Sequence, residues 1–296
     1  MIEKLTGREL RGILEGCGFG FSKSLGQNFL ADERILNKIA DDACLFPEQT
    51  VLEIGTGAGT LTRVLARRVK KVVSVEVDGA LLPVHRITLD GFENIQVIHA
   101  DFLKLDIHQL FQQELTENFA VTANLPYYIT TPIIMRLLES GVPFQTITVL
   151  VQREVALRMA ARENTPEYGA LSCAVQYYTK PVLCSKIPAS CFYPPPKVDS
   201  QVIRLEKLQK PPVAVQSENR LFRVIHAAFS MRRKTLVNNL IAAFSLTRPQ
   251  AEEILEQCGL QQNIRGEALD LPQFARVADA ISLFVPEEAE KMKPEQ

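Results

Sequence analysis

The segment Asn124-Leu125-Pro126-Tyr127 holds the residue types best suited to chemistry on a flat amine. The Asn124 amide oxygen and the Leu125 carbonyl can each accept one hydrogen from an amino group such as adenine N6. Pro126 fixes the backbone after that carbonyl, and the Tyr127 ring can stack on a base. Two acceptors that draw on the hydrogens favour a pyramidal, nucleophilic nitrogen. The segment predicts a site that activates an adenine amine, the alternative being an ordinary turn after a strand.

Upstream, Glu53-Ile54-Gly55-Thr56-Gly57-Ala58-Gly59-Thr60 forms a glycine turn suited to a nucleotide-like cofactor. Its glycines let the backbone approach a ligand where side chains would collide. A dinucleotide-binding fingerprint looks similar and carries an acid about twenty residues later, as Glu76 does here. Thr60 stands where that fingerprint has glycine or alanine, which argues against NAD because the helix would pack differently on its strand.

Two acids at the ends of separate predicted strands point to S-adenosylmethionine instead. Glu76 suits the ribose hydroxyls, Asp101 suits the adenine amine of the cofactor, and Phe102 stands beside its ring. Each acid alone could simply favour the start of a helix. Together with the glycine turn they predict methyl transfer to adenine N6. The sulfonium methyl is electrophilic enough that correct placement of the amine suffices, so no metal is expected.

Valine- and isoleucine-rich runs alternate with helical patterns through the first two-thirds of the chain. This alternation predicts an α/β fold, a Rossmann-like, mostly parallel sheet covered on both faces, with a late antiparallel strand at 198–205. Cofactors bind at the carboxyl ends of such strands. We predict a catalytic domain at 1–209, a small all-helical domain at 210–285 and a mobile tail at 286–296. Strands are predicted at 50–54, 71–77, 95–98, 119–123 and 146–151, and a helix at 81–89 that Pro83 interrupts early.

Composition adds limits to these predictions. With 33 Lys and Arg against 34 Asp and Glu, the net charge of −1 means that binding RNA requires a local basic patch. The Met231-Arg232-Arg233-Lys234 segment, with Arg223, provides one. Six scattered cysteines lack metal-ligand spacing and indicate reduced thiols. No apolar run suggests a membrane span, and nothing suggests secretion, so a cytoplasmic protein is expected.

Over nearly its whole length the chain resembles the KsgA/RsmA group of ribosomal RNA adenine N6,N6-dimethyltransferases, most closely the bacterial enzymes. The matching segments are Gln27 to Leu30, Glu53 to Thr60, Glu76, Asp101, Asn124 to Tyr127, 168–172, 192–200 and 229–240. The resemblance implies cofactor contacts from Gln27, Asn28, Leu30, Gly55, Gly57, Glu76, Asp101, Phe102 and Asn124. It implies that the target base is held by Asn124, Leu125, Pro126, Tyr127 and Phe192. RNA contacts are expected from Arg232, Arg233, Lys234, Arg223 and Lys197.

The resemblance also implies the substrate. The family transfers two methyl groups to each of two adjacent adenines near the end of small-subunit ribosomal RNA, late in subunit assembly. The expected partner is an immature small subunit, and a monomer is expected. Two departures are the near-neutral charge, which would confine the RNA footprint to one face, and Met231, where a polar residue is expected.

Three other functions stay open at this point. One is the related class of large-subunit RNA methyltransferases that confer macrolide resistance, and the second is a non-catalytic assembly or transcription factor with the same fold. The third is an NAD oxidoreductase. The helical domain with its basic segment argues against the first, and the intact Asn124 to Tyr127 segment against the second.

Overall fold

The computed structural model describes residues 5–22, 25–115 and 117–286, which form two compact units. The first unit runs to Leu157 and takes up the chain again over Lys180–Lys207. The second comprises Arg158–Thr179 and the chain from Leu208 onward. The chain enters the second unit for the last time at Leu208, close to the predicted boundary at 209. Residues 158–179, which were predicted to belong to the catalytic domain, are grouped with the second unit. Of the predicted tail, 287–296 lies outside the described residues.

The first unit is built on a sheet of seven strands in the order β4-β3-β2-β5-β6-β9-β7, and a separate β1–β8 pair. Strands β2 to β6 pair in parallel, and β9 runs antiparallel to β6, which confirms the predicted late antiparallel strand. The strands are β1 (Phe29–Leu30), β2 (Thr50–Ile54), β3 (Lys71–Glu76), β4 (Ile95–His99), β5 (Ala120–Asn124), β6 (Thr146–Gln152), β7 (Thr179–Ile187), β8 (Phe192–Tyr193) and β9 (Ser200–Lys207).

The central strands are apolar runs because helices cover both faces of a parallel sheet. All five residues of β2 are buried, and β3 and β5 are each buried at all but one position. Parallel strands end at the same edge of a sheet, so the residues that follow β2, β3, β4 and β5 are brought together there. That edge holds the glycine turn, Glu76, Asp101 and Asn124.

Several helices begin at a side-chain N-cap, among them those that follow Thr6, Asp32 and Asp270. Among the described residues, no helix has both the length and the apolar character that a membrane span requires. The helices are α1 (Gly7–Gly16), α2 (Glu33–Asp42), α3 (Thr60–Ala66), α4 (Leu82–Thr88), α5 (Ile107–Glu114), α6 (Thr130–Glu139), α7 (Arg153–Met159), α8 (Ala170–Tyr178), α9 (Glu218–Ser230), α10 (Leu236–Phe244), α11 (Arg248–Gln257) and α12 (Leu271–Ile281).

Pro83 does not interrupt a helix, which corrects that prediction. Helix α4 begins at Leu82, so Pro83 lies in its first turn, and a short 3₁₀ turn over Gly79–Leu81 precedes it. Proline is tolerated there because the first N–H groups of a helix have no intrahelical partner in any case.

The second unit is helical, as predicted, and has its own apolar core. Helix α11 follows Thr247, whose capping box with Gln250 satisfies the helix start, and Gly259 lies just past its end with a φ of +67°. Tyr168, in the segment 168–172, is buried in this core, and its hydroxyl donates to the Leu269 carbonyl at 2.9 Å. The family-like motif around Tyr168 therefore stabilises the helical unit.

Candidate active site

A cavity of about 1060 Å³ opens at the carboxyl edge of the sheet in the first unit. That volume includes the open solvent at its mouth. All of the residues predicted to bind the cofactor or the base line it. These are Gln27, Asn28, Leu30, Gly55, Gly57, Glu76, Asp101, Phe102, Asn124, Leu125, Pro126, Tyr127 and Phe192.

The glycine turn borders this cavity with bare backbone. Gly55 and Gly57 have φ angles of +83° and +54°, in the left-handed region that side chains disfavour. A Cβ on Gly57 would lie 3.3 Å from the Phe29 ring, and a Cβ on Gly55 would lie 3.9 Å from the Asn124 carbonyl oxygen. A side chain at Gly57 would therefore occupy the space beside the Phe29 ring, and one at Gly55 the space beside the Asn124 carbonyl.

Glu76 ends β3 and ties the glycine turn to the next loop. Its Oε2 accepts from the Gly57 N–H at 2.8 Å and its Oε1 from the Asp78 N–H at 2.9 Å. Burial raises the pKa of Glu76, and the two N–H groups oppose that rise. Each oxygen keeps a further lone pair, which a ribose hydroxyl could use.

Asp101 and Phe102 follow β4 on the same wall. Asp101 Oδ1 accepts from the Leu103 N–H at 3.0 Å, and Oδ2 lies 3.4 Å from Lys104 Nζ. Phe102 is buried but lines the cavity. An acid held by its own turn beside an apolar ring matches what an adenine edge and face require.

Gln27 connects the N-terminal segment to the loop after β3. Its Nε2 donates to Asp78 Oδ2 at 2.6 Å, and its Oε1 accepts from the Ser22 N–H at 3.1 Å. Gln27 is therefore bonded to the loop that directly follows Glu76 at the end of β3, although Gln27 and Glu76 are far apart in sequence.

Asn124 is the last residue of β5, and its amide has a defined orientation. Nδ2 donates to the Asn28 carbonyl at 3.1 Å. A carbonyl can only accept, so this partner fixes which amide atom is nitrogen and leaves Oδ1 as the acceptor available to a ligand. The next residue, Leu125, is anchored by its N–H to the Leu150 carbonyl at 3.3 Å.

A short 3₁₀ turn over Tyr127–Ile129 follows. The Pro126 carbonyl accepts from the Ile129 N–H at 3.2 Å and the Thr130 hydroxyl at 3.1 Å. The half-buried Tyr127 shares a hydrogen bond of 2.8 Å with the Ser200 hydroxyl, and burial raises the pKa of Tyr127. The ring is thus fixed at its far end.

Phe192 lies on β8, opposite Leu30 of β1 in the two-stranded pair. It is only 5% exposed and packs in the apolar core, yet it also lines the cavity. It therefore combines core packing with a position where it could flank a base.

Residues behind the glycine turn were not singled out by the sequence. Glu53, in the motif itself, is fully buried, and its Oε2 accepts from the Thr62 and Ser74 hydroxyls at 2.6 and 2.7 Å. Burial raises the pKa of Glu53 to about 8. His85 contacts the Gly57 carbonyl from α4. No spacing rule indicates His85, because its contact depends on how α4 packs.

The predicted RNA contacts divide between the two units. In the second unit, Arg233 and Lys234 are exposed in the turn after α9. Arg232 Nη2 donates to the Pro166 carbonyl at 2.9 Å and lies 3.8 Å from Glu267. Arg223 is half-buried, donates to the Ala243 carbonyl at 2.8 Å and lies 4.4 Å above the Phe244 ring.

Lys197, the fifth predicted RNA contact, belongs to the first unit and is exposed there.

The cavity suits S-adenosylmethionine in three respects. Bare glycine backbone and the carboxyl groups of Glu76 and Asp101 lie at neighbouring strand ends. Apolar and aromatic walls complete it. Within the described part of the chain, no cluster of three or more His, Cys, Asp or Glu could hold a metal ion.

Comparison with known proteins agrees with this geometry. The profile of the family described as ribosomal RNA adenine dimethylase matches residues 18–282. The chain is 47% identical over 275 residues to ribosomal RNA small subunit methyltransferase A of Geobacillus kaustophilus, covering 91% of this chain and 94% of that protein. It is 46% identical to the protein of the same name from Streptococcus pneumoniae, covering 92% and 95%.

Two solved structures share the fold. A dimethyladenosine transferase from Plasmodium falciparum superposes with a TM-score of 0.71 at 26% identity, covering 84% of this chain and 95% of that one. The 23S rRNA methyltransferase ErmE superposes with a TM-score of 0.65 at 29% identity, covering 86% and 100%.

Proposed function

Because the chain belongs to the ribosomal RNA adenine dimethylase family, we propose that it dimethylates N6 of two adjacent adenines near the 3′ end of small-subunit (16S) ribosomal RNA. It is an S-adenosylmethionine-dependent enzyme, and ribosomal RNA is its substrate. The orientation of the Asn124 amide carries the proposal, since it presents an acceptor where a base amine would enter.

S-adenosylmethionine, when bound, supplies a sulfonium methyl group that an amine can attack directly. Gly55 and Gly57 would let the cofactor approach the main chain closely. Glu76 would accept hydrogen bonds from its ribose hydroxyls, and Asp101 would accept one from its adenine amine. The contacts of Glu76 with the Gly57 and Asp78 N–H groups support this assignment, because they hold the acid at the cavity wall. Gln27, Asn28, Leu30 and Phe102 complete the proposed cofactor wall.

The adenine amine would be held by two oxygens. Asn124 Oδ1 and the Leu125 carbonyl each accept one N6 hydrogen, which localises the nitrogen lone pair toward the methyl donor. Pro126 holds the main chain behind them, and Tyr127 and Phe192 flank the base. With the amine placed this way, orientation supplies most of the catalytic effect, and the released proton passes to solvent.

We extend the proposal to the partner. The relatives that share about 47% identity are named for the small subunit, which supports an immature small ribosomal subunit as the physiological substrate. Arg232, Arg233, Lys234 and Arg223, together with Lys197, are proposed RNA contacts. The chain would act as a monomer in the cytoplasm. We propose a catalytic domain at 1–209 and an RNA-binding domain at 210–285, although 158–179 is grouped with the second structural unit.

Methylation of large-subunit RNA is the second candidate, favoured by the structural likeness to ErmE. The identity to this structure is 29%, against 47% to the small-subunit relatives over a similar share of the chain. The higher identity favours the small subunit.

One assay separates the candidates. Purified protein would be incubated with tritiated S-adenosylmethionine and immature small subunits that lack N6 methylation, and in parallel with naked large-subunit RNA. Two adjacent dimethyladenosines near the 3′ end of the small-subunit RNA are expected. Label confined to large-subunit RNA would support the second candidate. Cofactor binding without label on either RNA would support a non-catalytic assembly factor.

A further inference from the structure

His85 holds the glycine turn from behind. Its Nε2 lies 2.7 Å from the Gly57 carbonyl oxygen, and the side chain is buried on α4. Since a carbonyl can only accept, Nε2 must carry the proton. In the neutral ring Nδ1 then has the lone pair, and it is buried with no hydrogen-bond partner among the described residues.

The Gly57 residue is consequently fixed at both of its polar groups. Its N–H donates to Glu76 Oε2 at 2.8 Å, and its carbonyl accepts from His85. The two contacts come from different elements, β3 and α4. Gly57 has a φ of +54° and lines the cavity, so its carbonyl and N–H directions set the shape of the cofactor wall.

We propose that His85 is a positioning residue for cofactor binding: its neutral Nε2–H tautomer clamps the Gly57 carbonyl and keeps the turn in its binding shape. His85 is absent from the described residues that line the cavity, so it acts through Gly57 and not by touching the ligand. The proposal requires cofactor affinity, rather than the methyl-transfer step, to depend on this side chain.

The same geometry makes the clamp sensitive to pH. Protonation would add an Nδ1–H donor in a buried place that offers it no acceptor, and burial lowers the pKa of His85. The hydrogen bond to Gly57 and the charge of Asp78, before α4, favour the protonated ring, and His99, at the end of β4, opposes it. Helix α1 packs on α4 through Leu10 and Leu14, which are apolar. Affinity for the cofactor should therefore fall as His85 becomes protonated at low pH.

Two substitutions separate the hydrogen bond from packing. His85→Gln keeps an N–H donor at nearly the same reach, whereas His85→Leu fills the space without a donor. S-adenosylhomocysteine binding would be measured by calorimetry, with His108→Gln, an exposed histidine on α5, as the matched control. Loss of one buried hydrogen bond predicts about three- to tenfold weaker binding for His85→Leu. His85→Gln and His108→Gln should stay within about twofold, and kcat at saturating cofactor should change little.

The tautomer is tested independently of ligand. The chain has four histidines, so long-range ¹H–¹⁵N spectra of the unliganded protein can assign each ring. Two results would support the proposal. The spectra would show an Nε2–H tautomer for His85, and the affinity for S-adenosylhomocysteine would fall at low pH in the wild type but less so in His85→Gln. Unchanged affinity in His85→Leu, or an Nδ1–H tautomer, would overturn it. If His85→Leu fails to fold, the proposal is still tested by the spectra of the unliganded wild type and by the pH dependence of S-adenosylhomocysteine binding to His85→Gln. Because these readouts need no RNA, they are independent of which RNA is methylated.

Discussion

Asn28 and Asn124, which are 96 residues apart, meet in a hydrogen bond of 3.1 Å from the Asn124 amide nitrogen to the Asn28 carbonyl. The bond joins the N-terminal segment to the end of β5. The Asn124 amide nitrogen thereby orients the side chain, and the amide oxygen is left for a ligand. A main-chain carbonyl supplies this orientation, so the identity of residue 28 is not what determines it.

Replacing Asn124 tests both halves of the amide. Asn124→Ala should lower kcat by about a hundredfold or more, because one of the two N6 acceptors is lost. Asn124→Asp should also lose activity, since a carboxylate oxygen would face the Asn28 carbonyl instead of an N–H. Methylation of small-subunit RNA would be measured, with exposed Asn263→Ala as the control. An active Asn124→Asp would show that the orienting hydrogen bond is dispensable.

Tyr127 is expected to act through its ring. Tyr127→Phe removes the hydrogen bond to Ser200 and should cost about 1 kcal/mol of unfolding free energy while changing turnover only slightly. Tyr127→Ala also removes the stacking face, worth about 1–3 kcal/mol, and should raise KM for RNA about tenfold or more. Denaturant unfolding and RNA kinetics measure the two effects, with Ser200→Ala completing a double-mutant cycle. Equal RNA kinetics for Tyr127→Ala and Tyr127→Phe would contradict stacking.

Glu53 predicts a pH dependence of stability. Burial raises the pKa of Glu53 to about 8 from 4.5, so the folded protein holds a proton that the unfolded chain releases between those values. The free energy of unfolding should therefore decrease as pH rises through this window. Glu53→Gln cannot ionise, and its Tm should fall less between pH values of about 6 and 8.5 than that of the wild type. Exposed Glu48→Gln is the control and should follow the wild type.

Parallel Tm profiles for the wild type and Glu53→Gln would show that Glu53 does not titrate in this range.

Charge reversal tests the proposed RNA contact in the second unit. Arg233 and Lys234 are the cleaner pair, because Arg232 is held by the Pro166 carbonyl and lies near Glu267. The double variant Arg233→Glu/Lys234→Glu should reduce the slope of log affinity against log salt by about two. The charge-matched control is Lys38→Glu/Lys70→Glu, at exposed lysines of the first unit. An identical slope in both double variants would exclude a phosphate contact at this turn.

The sequence could predict which residues come together at the candidate site, because they end strands or follow them closely. Valine-rich runs identified β2, β3, β4 and β5, and parallel pairing then brought the glycine turn, Glu76, Asp101 and Asn124 to one edge. Local patterning was sufficient for this. The same patterning predicted that Pro83 interrupts a helix, whereas Pro83 lies in the first turn of a helix that begins at Leu82. A helix start placed one residue too early is enough to cause this error.

Contacts across the chain could not be predicted in this way. The clamp of His85 on Gly57 and the bond of Gln27 with Asp78 depend on how helices and segments pack, which has no periodic signal. Arg223 was singled out for its charge, yet its guanidinium lies over Phe244 and donates to the Ala243 carbonyl. Charge in a sequence does not distinguish a surface cation from one that closes a helix end.

The β1–β8 pair joins two distant segments of the chain at the cavity. Leu30 beside the proposed cofactor wall and Phe192 beside the proposed base site are opposite each other on these paired strands. Antiparallel pairing sets both the register and the spacing of opposite residues, so the two side chains are placed relative to each other by the main chain. This part of the cavity is therefore complete only when the segment before α2 has paired with the segment before β9.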